Sequence, residues 1–452
     1  MTAGDLARAL EAAGYTAGTG SAPRARFDQL LAAMANARSG GDRDGWAAWY
    51  VPGRIEVLGK HTDYGGGRSL LCAAERGFHV VSAARADRRL SLTDLGRGTS
   101  LVLDADGPRP EASWATYPLT VLRRLSSNFP ELGRGVDVVF ESDLPSAAGM
   151  SSSSALMVAV LLALVHANRL DETTRWIENV HPVDIRQSAH REDLAAYAAT
   201  IENGQTFRAL VGESGVGTEG GSEDHTAILC SRPMALSQYA FCPTRHERSV
   251  AFPPGLVFAI GASGVAARKT GQARDDYNRA SRLAARVLER WRADTGREDA
   301  SIAAALSSSS GAPGRLRALL GSDVELLDRF EQFFEESTAL VPTAADELAR
   351  GDLHGFGRTV ARSQQLAEER LHNQVPETVT LARTAREHGA WAASAFGAGF
   401  GGSVWALVDQ ADAHAFLDRW QNAYTRACPA AAARARFFLT RPGPGVVRLS
   451  PR

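Results

Sequence analysis

Gly149-Met150-Ser151-Ser152-Ser153-Ser154-Ala155 sets one glycine and four hydroxyl groups at the head of an apolar run that lasts to Val165. Small residues feeding such a run predict a turn that opens the N-terminus of a buried helix. The first N–H groups of a helix have no intrahelical partner and carry the positive end of its dipole, so this junction suits a phosphate. Gly149 would let the backbone come close, and Ser151, Ser152, Ser153 and Ser154 would add hydroxyls for phosphate or a phosphate-bound metal. A Ser-capped core helix that binds nothing has the same pattern. A second cluster, Lys60-His61-Thr62-Asp63-Tyr64-Gly65-Gly66-Gly67, crowds charge and glycine between two apolar stretches. Ionisable side chains on a tight turn between strands are costly unless something binds there, although a solvated hairpin tip would also fit. A third, Glu223-Asp224-His225, follows the glycine-rich residues 212–222.

The elements that must position these clusters follow from periodicity. Residues 5–13 and 27–37 predict two amphipathic helices separated by a Gly/Ser/Pro stretch, a packing prelude. Residues 49–59 predict a strand that turns at Gly59, with further strands at 78–84, 91–94 and 100–103, and apolar residues 70–74 after the turn. The strand at 136–140 delivers the serine loop. Residues 171–199 are charged and mostly helical, with Trp176 and Tyr197 as packing anchors, and 226–230 are expected as a strand. After Pro253 the texture changes to an apolar strand at 256–260 and then helices, interrupted by Ser307-Ser308-Ser309-Ser310-Gly311. A boundary near residue 250 divides the chain into residues 1–250, with 1–45 as prelude, and 251–452. Gly397, Gly399 and Gly402 satisfy the letter of a dinucleotide fingerprint. Their loop leaves a helical stretch (377–387) and enters a strand, which reverses that fingerprint's order. Residues 264–270 lack the glycine that a P-loop places before its lysine.

Composition narrows the function classes. The chain of 452 residues, 44% hydrophobic, has room for two or three domains. Its net charge is −1, with no basic stripe for nucleic acid. Cys72, Cys230, Cys242 and Cys428 are scattered without metal-ligand spacing and fit a reducing cytoplasm. No signal-peptide pattern opens the chain, and the longest apolar run is too short for a bilayer. A cytoplasmic monomer with no nucleic-acid or membrane partner is expected.

Three loops in order carry a family resemblance. Gly53-Arg54 through Gly59-x-His61-Thr62-Asp63-Tyr64-x-Gly66-Gly67 resembles the galactokinase signature, Pro145 to Ala155 the phosphate loop of the GHMP kinases, and Gly397 to Gly402 their third motif. Asp224, Tyr277-Asn278-Arg279, Phe356-Gly357 and Ser363 support the galactokinase branch. The resemblance runs from about residue 45 to 410 and implies a two-domain α+β architecture. Its N-terminal domain would be of the ribosomal-S5-like type and its C-terminal domain ferredoxin-like, with the active site between them.

The resemblance also assigns roles. The serine loop would wrap the ATP phosphates, Ser153 and Glu202 would share Mg²⁺, Asp224 would face the acceptor hydroxyl, and Arg54 would lie close to both Asp224 and the transferring phosphoryl group. The segment from Glu202 to Asp224 is longer than usual in the family. Phosphoryl transfer is catalysed mainly by positioning and electrostatics, which this set supplies. His61 and Asp63 would hold sugar hydroxyls, and Tyr277 would stack or simply pack. Family galactokinases usually have Asn at Glu56 and Glu at Lys60. Either Lys60 meets an acidic or otherwise modified sugar, or Lys60 and Glu56 neutralise each other and galactose or another neutral sugar fits. A silent sugar and ATP sensor, or a kinase of a non-sugar alcohol, is the alternative. Retention of Arg54, Asp224 and the serine loop argues against the first, and the His61–Tyr64 cluster against the second.

Overall fold

The computed structural model describes residues 1–17, 21–38, 45–145, 148–181, 191–266 and 272–450. Part of the stretch between the first two helices, Ser146 and Ala147 of the serine loop, residues 182–190 of the charged helical region and residues 267–271 lie outside the described residues.

The first sheet holds β1 (Trp46–Leu58), β2 (Arg68–Ala84), β3 (Leu90–Asp94), β4 (Thr99–Leu103), β5 (Val136–Ser142), β6 (Ala235–Ala240) and β7 (Arg245–Ala251). β1 pairs antiparallel with β2 from Trp46↔Ala83 to Leu58↔Leu70, which leaves residues 59–67 as the turn between them. β2 is one strand of 17 residues where two apolar stretches were expected. Its polar interruption at Glu75-Arg76-Gly77 stays in the sheet because Gly77 lies directly against the Val51 carbonyl, where a Cβ would approach to 2.3 Å. The first part of β2 pairs with β6 and the last part with β5, and β3 runs parallel to β5.

The second sheet joins β8 (Leu256–Ala262), β9 (Ala392–Phe396), β10 (Ser403–Asp409) and β11 (Arg436–Thr440) in the antiparallel order β11-β8-β10-β9. In sequence order that is 4-1-3-2, with helices in the two crossovers, the ferredoxin-like arrangement. The glycine-rich residues 397–402 therefore close a β9–β10 hairpin; the expectation of a helix-to-strand loop is corrected, because residues 392–396 add a strand after the helix. The chain passes from the first sheet to the second between β7 and β8. The chain's end crosses back, however: β12 (Pro442–Gly443) and β13 (Val447–Arg448) pair with β2 and β1 of the first sheet.

Helices α1 (Ala3–Ala12) and α2 (Ser21–Ala37) form their own small core against β1 and β2. α3 (Thr116–Asn128), α4 (Ser152–Asn168), α5 (Thr174–Asn179), α6 (Arg191–Asn203) and α7 (Glu223–Cys230) belong with the first sheet. α4 is buried from Ser154 to Val165, as its apolar run requires. Trp176 and Tyr197 are buried edge to face, with centroids 5.9 Å apart. The strand expected at 226–230 is part of α7: a helix buried on nearly every side has no period that separates it from a core strand. α8 (Gln272–Thr295), α9 (Ile302–Ser307), α10 (Ala312–Leu320) and α11 (Val324–Glu335) make a separate helical core. α12 (Val341–Ala349) and α13 (Leu353–Leu366) lead to α14 (Pro376–Glu387), and α15 (Ala413–Ala427) follows β10. Among the described residues no helix is long and apolar enough to cross a membrane.

Candidate active site

Arg54 is the centre of the site. It stands on β1 and is 3% exposed. Its Nε and Nη2 both lie 2.7 Å from Asp224 Oδ1, and its Nη1 donates to the Gly149 carbonyl. One guanidinium thus ties the first turn of α7 to the serine loop. Burial opposes its charge, but the carboxylates of Asp224, Glu56 and Glu223 more than offset that and raise its pKa. The expected neighbours Arg54 and Asp224 are brought together, and both line a cavity between the two sheets' loops.

The serine loop is locked from behind. Gly149 adopts φ +73 and Ser151 φ +56 just before α4 begins at Ser152. Gly397, at φ +83, sits so close that a Cβ would be 2.8 Å from the Gly149 carbonyl, and Ser403 Oγ donates to Ala148 O at 2.6 Å. The β9–β10 hairpin is therefore packed against the loop.

Glu202, at the end of α6, accepts from Ser154 Oγ at 2.9 Å and lies 3.5 Å from His225 Nε2. Ser154 is the serine whose hydroxyl bonds Glu202 directly, because successive residues of a helix point about 100° apart and α6 packs on the Ser154 side; Ser153, expected to share Mg²⁺ with Glu202, stands one position before it at the start of α4. The long segment after Glu202 doubles back on the end of α6: Val216 N–H donates to Glu202 O (2.8 Å) and Asn203 Nδ2 to Gly220 O (2.8 Å). Glu202 and Asp224 therefore line the same cavity despite the insertion. Mg²⁺ takes oxygen ligands and keeps waters and phosphate oxygens among them, so one carboxylate beside serine hydroxyls at a helix N-terminus fits it. Among the described residues no group of three His, Cys, Asp or Glu could hold a metal unaided.

The turn after β1 supplies the other wall. His61, at φ +56, presents Nδ1 to the Tyr64 hydroxyl (3.0 Å) and Nε2 to the Ala398 carbonyl (3.1 Å), and its ring lies 5.4 Å from that of Tyr277 on α8. Asp63 accepts from the N–H groups of Tyr64 (2.9 Å) and Glu223 (3.1 Å), while burial pushes its pKa up. Glu56 accepts from Gly397 N–H at 3.2 Å. Lys60 is 1% exposed and points elsewhere: Nζ donates to Ser363 Oγ (3.0 Å), which donates to Glu336 Oε1 (2.8 Å). Sequence reasoning missed the helix face that holds this turn. Arg329 Nη2 donates to the His61 carbonyl, Gln332 Nε2 to the Lys60 carbonyl (3.0 Å), and Glu336 accepts from Gly59 N–H (2.8 Å). These are three buried polar residues on the inner face of an otherwise amphipathic α11 and the turn after it, and that pattern is the signal that could have found them.

Three family models match the chain in the order of its loops: the galactokinase galactose-binding signature over residues 38–84, the GHMP kinases N terminal domain over 116–207 and the GHMP kinases C terminal over 344–426. The chain belongs to the galactokinase-like branch of the GHMP kinases. It is 27% identical to the galactokinase of Roseiflexus sp. over 88% of this chain and 92% of that protein. It is 36% identical to the galactokinase of Actinobacillus succinogenes over 25% of this chain and 30% of that one. The solved structure of Lactococcus lactis galactokinase complexed with galactose superposes with a TM-score of 0.74 at 21% identity, covering 93% of this chain and all (100%) of that one. Mevalonate kinase of L. major superposes at 0.51 with 15% identity, over 87% and 95% of the two chains. This GHMP kinase is accordingly a transferase of the sugar-kinase class with the two-domain α+β fold, and galactokinases of the family use ATP.

Proposed function

We propose that this kinase transfers the γ-phosphoryl group of ATP to the anomeric hydroxyl of galactose or a closely related sugar that carries no carboxylate. The observation that carries the reading is the Arg54–Asp224 pair, bonded at 2.7 Å and joined through Gly149 to the serine loop at the N-terminus of α4. The α4 N-terminus and its hydroxyls receive the phosphates, and Arg54 faces the charge that spreads over the transferred group. Asp224 orients the acceptor hydroxyl and accepts its proton as transfer proceeds. Glu202, with Ser153 and Ser154, would hold Mg²⁺, which when bound neutralises β- and γ-phosphate oxygens. His61, Asp63 and Tyr277 line the cavity where the sugar ring would sit.

Two observations argue against an acidic sugar. Lys60 is engaged with Ser363 and does not line the cavity, and five carboxyl side chains do: Glu56, Asp63, Glu202, Glu223 and Asp224. The mutual-neutralisation reading of Lys60 and Glu56 gains from both, since Lys60 is the cation that most favours ionised Glu56. We divide the chain functionally near residue 250, with the sugar turn and serine loop on the first side and the hairpin that backs them on the second. The protein works as a cytoplasmic monomer in this proposal. The test is ADP formation with Mg²⁺ and ATP against galactose, galactosamine and galacturonate, with the product's phosphate located by NMR. Phosphate on the anomeric oxygen of a non-acidic sugar is expected; galacturonate as best substrate, or ATP binding without turnover of any sugar, refutes it.

A further inference from the structure

Residues 217–221, in the long segment between Glu202 and Asp224, belong to no helix or strand, and Gly217, Gly220 and Gly221 are glycines. Thr218, Gly220 and Gly221 nevertheless line the cavity. A stretch so rich in glycine has much backbone freedom to lose, so a wall made from it must be held. The holder comes from the other half of the chain. Asn278, on α8, is 5% exposed; its Oδ1 accepts from Glu219 N–H at 2.9 Å and its Nδ2 donates to Gly217 O at 3.0 Å. A side-chain amide carries acceptor and donor at one end, so it grips the loop on both sides of Thr218 as a neighbouring peptide group would. Arg282, one turn further along α8, also reaches Glu219, but that ion pair (3.3 Å) stands about half exposed, where solvent screens it.

The same turn of α8 carries Tyr277, whose ring lies 5.4 Å from that of His61 and whose hydroxyl would stand 2.5 Å from a Cβ on Gly220. Arg329, which holds the His61 carbonyl from α11, donates from Nε to Ala280 O (3.2 Å) and so fixes α8 to the helix behind the sugar turn. Asp224 has anchors of its own: Arg54 on β1 and, through Glu223 N–H, Asp63. We propose that Asn278 is a positioning residue for the acceptor, which sets sugar affinity by fixing residues 217–221 as a wall of the cavity and leaves the chemistry at Asp224 untouched. This rests on the kinase reading above.

The experiment uses Asn278→Leu, which keeps the side chain's size and removes both bonds, Asn278→Ala as a second variant should the first not fold, and Arg282→Ala for comparison. It measures kcat and KM for the best sugar and for ATP, and hydrogen exchange of the sugar-free protein by mass spectrometry. Loss of the two bonds raises sugar KM about tenfold, with kcat and ATP KM within about twofold of wild type. Exchange in residues 216–222 quickens about tenfold while α7 exchanges as before. Arg282→Ala changes neither. Unmoved sugar KM in the Asn278 variants overturns the proposal, whether or not exchange quickens. Equal rises in sugar and ATP KM, or faster exchange in α7, overturn it in favour of a general packing role, and an equal effect of Arg282→Ala moves the clamp to the surface ion pair. A wild type that turns over no sugar overturns the kinase reading and this role with it, while the exchange of residues 216–222 still shows whether Asn278 holds them.

Discussion

Replacing Lys60 by methionine separates a structural ammonium from a sugar contact. Lys60 is 1% exposed, and its Nζ reaches Ser363 Oγ at 3.0 Å, the hydroxyl that donates to the fully buried Glu336 at 2.8 Å. It is also the cation that most stabilises the ionised carboxyl of Glu56, ahead of Arg54. Lys60→Met keeps the side chain's length and apolar stem but leaves buried carboxyls with less opposing charge. Leaving the buried Ser363 hydroxyl without this donor costs about 1–3 kcal/mol, to which the lost opposing charge adds. The loss should depend on pH in a definite sense. Burial raises the Glu56 pKa above its ordinary value of 4.5, so the folded chain holds that proton more tightly than the unfolded one. Stability from this group is complete below the ordinary value and is lost as pH rises through the folded value. Without Lys60 the folded value moves further up, so the variant's deficit is small near pH 5 and grows toward neutrality. Thermal unfolding of both proteins from pH 5 to pH 9 measures it, beside kcat and KM for the best sugar. A pH-independent deficit refutes the electrostatic argument. Full stability with kcat/KM lowered about a hundredfold, some 2.7 kcal/mol, would place Lys60 on the substrate instead.

Asp224→Asn should lower kcat by about three orders of magnitude, within the range for a lost proton acceptor, while ATP affinity by calorimetry stays within a few-fold; normal turnover would displace Asp224 from the acceptor. Gly397→Ala forces a side chain at φ +83 to within 2.8 Å of the Gly149 carbonyl. A non-glycine residue there costs about 1–2 kcal/mol, so kcat/KM for ATP should fall about tenfold with the circular dichroism spectrum unchanged; unaltered kinetics would mean that the hairpin does not set the serine loop. Gln332→Leu leaves the Lys60 carbonyl without its 3.0 Å donor. An unpaired buried acceptor costs about 1–3 kcal/mol, and the turn it holds bears on the sugar, so sugar KM should rise about tenfold with ATP KM unmoved. Equal rises in both would make α11 a general prop.

The parts of the site written in local backbone chemistry were legible, and the parts set by packing were not. Gly149 and the serines declare a helix start wherever the helix goes, and the turn 60–67 declares itself by charge that no hairpin tip needs. Which serine meets Glu202 is a matter of helical phase, fixed only when α6 docks against α4, so Ser153 and Ser154 could not be told apart beforehand. Residues 226–230 show the same limit: α7 is buried nearly all round, and a short apolar run carries no period to say helix. Arg329, Gln332 and Glu336 lie some 270 positions from the turn that they hold, and no spacing rule links them to it. They stand out only as polar residues buried on the face where Leu326, Phe330 and Phe333 make an apolar stripe. Lys60 shows why a reversed charge is hard to interpret from sequence. An ammonium in place of a carboxylate suggests a new ligand when seen alone. Glu336 answers it from a remote helical turn through Ser363 and Glu56 from the strand that leads into the turn, so the reversal is absorbed within the protein, and the cavity is lined by the carboxyls of Glu56 and Glu223.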